Sequence, residues 1–222
     1  MAASGGGRDV LGIYRRLVRR FGPAGWWPGE TAFEVCLGAI LVQNTGWTNV
    51  EKALDRLRRA GRLSFEGLRD LPPSRLGPLI RASGTFRVKA SRVRAFLDFL
   101  GEAYGGRAEA MRAEDPLVLR RRLLAVHGIG PETADSIVLY AAGLPVFVVD
   151  AYTRRVFSRL GLLDGRLGYD EVQRFFMDRL PRDAALFNDY HAQIVRLAQD
   201  FCRPCPRCPV CPLDGLCPKR GV

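Results

Sequence analysis

The sequence predicts an all-α protein, and three observations carry that prediction. Apolar residues recur three and four positions apart through most of the chain, while no segment alternates in the manner of a half-buried strand. Helix breakers and starters punctuate those runs, as in Gly22-Pro23-Ala24-Gly25, Pro72-Pro73 and Gly130-Pro131. No internal repeat and no heptad pattern points to a solenoid or a coiled coil.

In order along the chain, residues 1–7 read as an unstructured lead. Arg8–Phe21 places Val10, Leu11, Tyr14 and Leu17 on one face opposite arginines, which predicts an amphipathic helix. Trp26-Trp27-Pro28-Gly29 is an aromatic pair set in a turn. Glu30–Val42 is almost continuously apolar after Thr31 and reads as a buried helix, a pattern that a buried strand shares. Gln43-Asn44-Thr45-Gly46-Trp47-Thr48 interrupts it with polar groups. Asn49–Arg59 is amphipathic through Val50, Ala53, Leu54 and Leu57. Short helices are expected at Phe65–Leu71 and Ser74–Ala82. After the Ser83-Gly84-Thr85-Phe86 turn comes a long helix, Val88–Tyr104, with Lys89, Arg92 and Arg94 on its polar face. Leu117–Val126, Tyr152–Leu160, Tyr169–Asp178 and Asp183–Phe201 complete the set.

At 222 residues the chain can form one large or two small domains, and an apolar fraction of 47% excludes wholesale disorder. A net charge of +11, from 34 basic against 23 acidic residues, favours a polyanionic partner, nucleic acid or an anionic membrane surface. No apolar run approaches the roughly 20 residues that span a bilayer. Met1-Ala2-Ala3-Ser4-Gly5-Gly6-Gly7 does not read as a signal peptide. The expectation is a soluble, cytoplasmic, nucleoid-associated monomer.

Two segments carry chemistry. In His127-Gly128-Ile129-Gly130-Pro131-Glu132-Thr133-Ala134 the two glycines permit a sharp turn, and Pro131 occupies a helix's first position, where its missing N–H costs nothing. Such a turn aims backbone N–H groups at an anion, for which phosphate is the expected occupant. Val148-Val149-Asp150 follows, with a helix after it, so Asp150 is a natural N-cap. The second segment is the C-terminal loop: five of the six cysteines lie between residues 202 and 217. Without a secretory context such crowding indicates a metal centre, and four thiolates at this spacing suit either zinc or an iron–sulfur cluster.

The hairpin followed by Asp150 resembles the helix-hairpin-helix, Gly/Pro-rich loop and Asp signature of the endonuclease III superfamily of DNA glycosylases. The resemblance implies a helical barrel over residues 30–143, and a second helical domain from residues 1–29 and 144–222 carrying the loop 202–217. A cleft between them would hold the hairpin and Asp150. It implies phosphate contacts from His127, Gly128, Ile129, Gly130 and Thr133, and a catalytic Asp150. Cys208-x2-Cys211-x5-Cys217 matches the family's cluster loop, while Cys202 precedes Cys208 by one residue fewer than the family pattern. The implied [4Fe–4S] ligands are Cys202, Cys208, Cys211 and Cys217, with Cys205 as the substitute for Cys202.

Trp26-Trp27-Pro28, Gly38 to Thr45, Ser83 to Phe86 and Tyr169 to Gln173 together resemble the 3-methyladenine glycosylase branch. That likeness implies a base pocket of Trp26, Trp27, Pro28, Gln43, Trp47 and Glu132. The cysteine loop is not a fixture of that branch. Bifunctional members carry a Schiff-base lysine where this chain has Glu132, and its only lysines are Lys52, Lys89 and Lys219. The expected activity is therefore a monofunctional glycosylase that flips a damaged base, an alkylated purine, from duplex DNA and hydrolyses its N-glycosidic bond. The rivals are a bifunctional glycosylase/lyase for oxidised pyrimidines, a non-catalytic DNA-binding repair protein and a zinc-dependent binding module. Neither His127 nor His191 reads as a general base; His191 reads as a packing or capping residue.

Overall fold

A computed structural model describes residues 9–24 and 29–222, and those residues are all-α, with no strand among them. The helices are α1 (Val10–Phe21), α2 (Ala32–Leu41), α3 (Trp47–Arg59), α4 (Phe65–Arg69), α5 (Pro73–Leu79) and α6 (Phe86–Tyr104). They continue with α7 (Pro116–Leu124), α8 (Pro131–Ser136), α9 (Ala151–Arg159), α10 (Tyr169–Met177) and α11 (Ala184–Asp200). A 3-10 helix at Ala108–Ala113, which its sequence pattern does not announce, bridges α6 and α7. The starts are capped as the side chains dictate. Asp9, Thr31, Asp115 and Asp183 each accept backbone N–H groups from the first turn of the helix they precede.

The described chain divides into two compact units, one of residues 9–24 with 145–222 and one of residues 29–144. In the second, α2 is the central element: Phe33 through Leu41 are all buried, against α3, α6, α8 and the turn that follows α8. A helix enclosed on all sides needs partners for its last carbonyls. Lys89 supplies one. Its ammonium, 1% exposed, donates to Leu41 O at 2.8 Å and to Ser83 O at 2.5 Å. The polar-face position expected for Lys89 is thus corrected: α6 turns it inward, as a cationic cap at the end of α2. Burial and then the neighbouring Arg92 push its pKa down. Lys89→Met would leave two buried carbonyls without their donor and should cost about 2 kcal/mol, read as a lower urea midpoint at unchanged slope. An unchanged midpoint would refute the capping role.

The first unit packs α1 and α9 against α11. Its core is aromatic: Phe147, Phe157, Phe176, Phe187 and Tyr190 are each fully buried. Phe147 stacks on Phe176 with ring centroids 4.2 Å apart, and Phe157 meets Phe176 edge-on at 4.7 Å. Phe147 belongs to a non-helical stretch, Val146 to Val149, in which no residue exceeds 1% exposure. Backbone buried outside regular structure must find side-chain partners. Here α10 provides them: Gln173 Nε2 donates to Phe147 O at 2.8 Å and the Tyr169 hydroxyl accepts from Val149 N at 3.2 Å.

Candidate active site and cysteine loop

That braced stretch delivers Asp150 to the start of α9 in extended conformation, with φ −110 and ψ −178. Its Oδ1 accepts the Thr153 N–H at 2.7 Å, the N-cap bond expected from its position. Its Oδ2 lies 3.4 Å from His191 Nε2 on α11, an ion-pair distance. The two side chains are 12% and 7% exposed. Burial pushes the Asp150 carboxyl up, and the His191 imidazole with the Thr153 N–H more than reverses that, so the group is held below the usual carboxylate range. The chain therefore keeps an ionised carboxylate in a nearly dry setting. His191 is here the partner of Asp150 rather than a simple packing residue. Nothing local in the sequence marks that pairing.

The hairpin lies in the other unit. Gly128 has φ +81, and a Cβ there would fall 2.3 Å from Arg92 Cγ, so both conformation and space demand glycine. Gly130 has φ −91 and open space where its Cβ would be. Arg120 binds Asp135 at 2.7 Å, with the Asp135 side chain fully buried, and so ties α7 to α8. Beyond Ser136 the helix widens into a π turn, Ile137–Ala141, closed by Ala142 N–H to Ile137 O at 3.0 Å.

Of the residues expected to meet phosphate, His127 and Gly130 are exposed and Gly128 is half-buried. Two others are enclosed. Ile129 is 5% exposed and its N–H is already spent on Val126 O at 3.1 Å, because the turn closes on itself there. Thr133 is 6% exposed, and its hydroxyl accepts from Gln43 Nε2 at 2.9 Å. Gln43 is engaged as well. Its Nε2 also donates to Gly128 O at 3.0 Å, and its Oε1 accepts from Arg92, so its amide braces the hairpin turn.

Trp47 is half-buried, donates from Nε1 to Glu51 at 3.0 Å, and walls a concavity of about 530 Å³ together with Gly29, Glu30, Glu34 and Arg58. Glu34 is 7% exposed and accepts the Glu30 N–H at 3.1 Å. Glu132 is exposed in the first turn of α8, where the helix dipole favours a carboxylate. Trp26, Trp27 and Pro28 lie outside the described residues.

In the C-terminal loop, Cys202, Cys208, Cys211 and Cys217 line one cavity, roofed by Phe201 and Pro206, and Cys205 is exposed away from it. The sulfurs also take part in bonds with their surroundings: the Cys217 thiol donates to Arg159 O at 3.3 Å. Leu213 N–H reaches Cys211 Sγ at 3.5 Å, Lys219 N–H reaches Cys217 Sγ at 3.4 Å and the Arg159 guanidinium stands 3.5 Å from Cys202 Sγ. Arg159, from the last turn of α9, also binds Arg203 O at 2.5 Å and Pro204 O at 3.0 Å, which fixes the loop's entry. Burial, together with the neighbouring cysteines, pushes the Cys211 and Cys217 thiols up. Among the described residues, no three His, Cys, Asp or Glu side chains converge closely enough to hold a single ion. No described helix is long and apolar enough to cross a membrane.

The family model for HhH-GPD superfamily base excision DNA repair proteins matches residues 37–182. The chain is 42% identical over 209 residues to a Methanocaldococcus jannaschii protein provisionally assigned as a DNA repair glycosylase, across 94% of this chain and 95% of that one. It is 31% identical over 180 residues to endonuclease III of Thermotoga maritima, across 79% of each. Among solved structures it is similar to the H. pylori 3-methyladenine DNA glycosylase bound to 1,N6-ethenoadenine. The TM-score is 0.74 at 27% identity, over 86% of this chain and 97% of that one. A non-covalent endonuclease III–DNA complex shares the fold at TM-score 0.80 and 24% identity, over 93% of this chain and 92% of that one. By the extent of the family match and of the first relative, the chain belongs to the HhH-GPD superfamily of base excision DNA repair proteins.

Proposed function

We propose that the protein is a monofunctional DNA glycosylase that hydrolyses the N-glycosidic bond of an alkylated purine in duplex DNA and leaves an intact abasic site. The observation that carries this reading is Asp150, its carboxyl held below the usual range beside His191, in a chain with Glu132 where bifunctional members carry the Schiff-base lysine. A carboxylate stabilises the oxocarbenium character that builds on the sugar as the base leaves, and it orients the attacking water. Lys89 is spent on two carbonyls, Lys219 pairs with Asp214 at 2.8 Å in the cysteine loop, and Lys52 is exposed on α3. Glu132 cannot form a Schiff base.

The hairpin and the arginine excess supply the hold on duplex DNA, through phosphates. The alkylated purine is supported by the likeness to the 3-methyladenine glycosylase. It is supported also by Trp47 beside Glu30 and Glu34, since an electron-rich ring with an acidic surround suits a base made cationic by alkylation. A panel of duplexes, each with one lesion, tests the reading. Base release should occur from alkylated purines, strand breaks should appear only after alkali, and borohydride should trap no protein–DNA adduct. A strong adduct in the wild type would replace this reading with a bifunctional one.

Cys202, Cys208, Cys211 and Cys217 would hold a [4Fe–4S] cluster, whose contribution is to staple the loop, since glycosidic hydrolysis moves no electrons. The four cysteines that line one cavity in this loop suit a cluster that takes one thiolate at each corner. Anaerobically purified protein should be brown, with about four iron atoms per chain. A colourless protein carrying about one zinc and no iron would refute the cluster.

A further inference from the structure

We propose that His191 is a positioning residue for Asp150: its imidazole faces the carboxylate oxygen that the helix cap leaves unused, holds the group in one orientation and, when protonated, favours its ionised form. The inference rests on the glycosylase reading above for its catalytic meaning, but the pairing itself stands on geometry. Asp150 Oδ1 is committed to the Thr153 N–H at 2.7 Å, so the cap fixes one end of the carboxylate. The opposite oxygen meets His191 Nε2 at 3.4 Å. Two constraints on two oxygens define the plane of the group, which one cap bond would leave free to swing.

The surroundings make His191 the one candidate for this duty within the described unit. Its ring is 7% exposed and sits in the most enclosed stretch of α11, beside the fully buried Tyr190 and Ala192. The polar groups around this pair have other tasks. Thr153 on α9 holds the capped side of the carboxylate through its backbone N–H and its hydroxyl, and the Tyr169 hydroxyl from α10 is bonded to Val149 N. Tyr190, the neighbour of His191, donates to Val10 O at 2.6 Å, and Asp189 accepts from Tyr14 and Ala24. Of the charged or titratable groups, His191 alone acts on the Asp150 carboxyl. Burial without it would favour the neutral acid, which stabilises no cation.

The test compares wild type, His191→Phe and His191→Gln in single-turnover base release across pH, with thermal melting to confirm folding. Phenylalanine keeps the ring volume and removes both donor and charge; glutamine restores a donor near the Nε2 position without the charge. The rate in His191→Phe should fall at least about tenfold, with the acid limb of the profile displaced to higher pH. His191→Gln should recover most of the rate above that limb while the limb stays displaced. A folded His191→Phe with wild-type rate and an unmoved acid limb would overturn the proposal. If His191→Phe fails to fold, an unmoved limb in His191→Gln overturns it equally. The second measurement needs no activity: the 13C carboxyl resonance of Asp150, assigned by its loss in Asp150→Asn, should titrate at higher pH once His191 is replaced. An unchanged midpoint refutes the pairing. Should the wild type release no base from any lesion, the glycosylase reading fails and the carboxyl titration alone decides whether the pair exists.

Discussion

Asp150→Asn is expected to fold, to bind damaged duplex as the wild type does, and to release base at least about 100-fold more slowly. The reasoning separates the two jobs of one side chain. As a cap, asparagine is nearly the equal of aspartate, and its Oδ1 can keep the Thr153 N–H bond of 2.7 Å. The amide NH2 then faces His191, whose neutral ring can accept through Nε2. What the substitution removes is the negative charge, which the site maintains against burial. A transition state with positive character on the sugar loses its principal stabiliser, whereas ground-state binding through phosphates does not. The lowered carboxyl also fixes the sign of a stability effect. Its contribution to folding is present above the unfolded-state value near pH 4 and is lost as the pH falls through the lower folded value, so the variant should lose stability at neutral pH and converge on wild type in acid. Single-turnover kinetics beside thermal melts read both. Near-normal base release from a well-folded variant would reduce Asp150 to a cap.

Gly130→Asp is expected to weaken duplex binding at least about tenfold at low salt with no loss of thermal stability. The two glycines of the turn are not equivalent as places to test it. A side chain at Gly128 meets Arg92 at 2.3 Å and needs φ +81, so any weakened binding there is confounded with a damaged fold. Gly130 has ordinary backbone and open space, and a carboxylate at a helix start suits the dipole. The added charge therefore acts on the ligand rather than on the protein. Its repulsion of phosphate should be felt on all sequences alike and should reduce the salt dependence of binding. Affinity equal to wild type across a salt series would remove the hairpin turn from the interface.

Much of this molecule is written in local pattern. The buried character of α2, the amphipathic α1 and α3, the proline that starts α8 and the cap ahead of α9 all follow from residues within one or two turns of each other. The spacing of Cys208, Cys211 and Cys217 is equally local, and it can be read without knowing where the loop lies. The duties of single polar side chains are another matter. Lys89 sits in a sequence pattern that describes a solvated helix face, yet α6 turns it toward the carbonyl end of α2. Gln43 stands in a polar run beside Trp47, and its amide turns to Gly128 and Thr133. His191 faces Asp150 only because α9 and α11 pack together. Helical periodicity repeats every three or four residues and says which face of a helix is buried. It carries no information about which distant helix that face will meet. Partners for buried polar atoms are chosen by that meeting, so the pairing of His191 with Asp150 belongs to the tertiary structure alone.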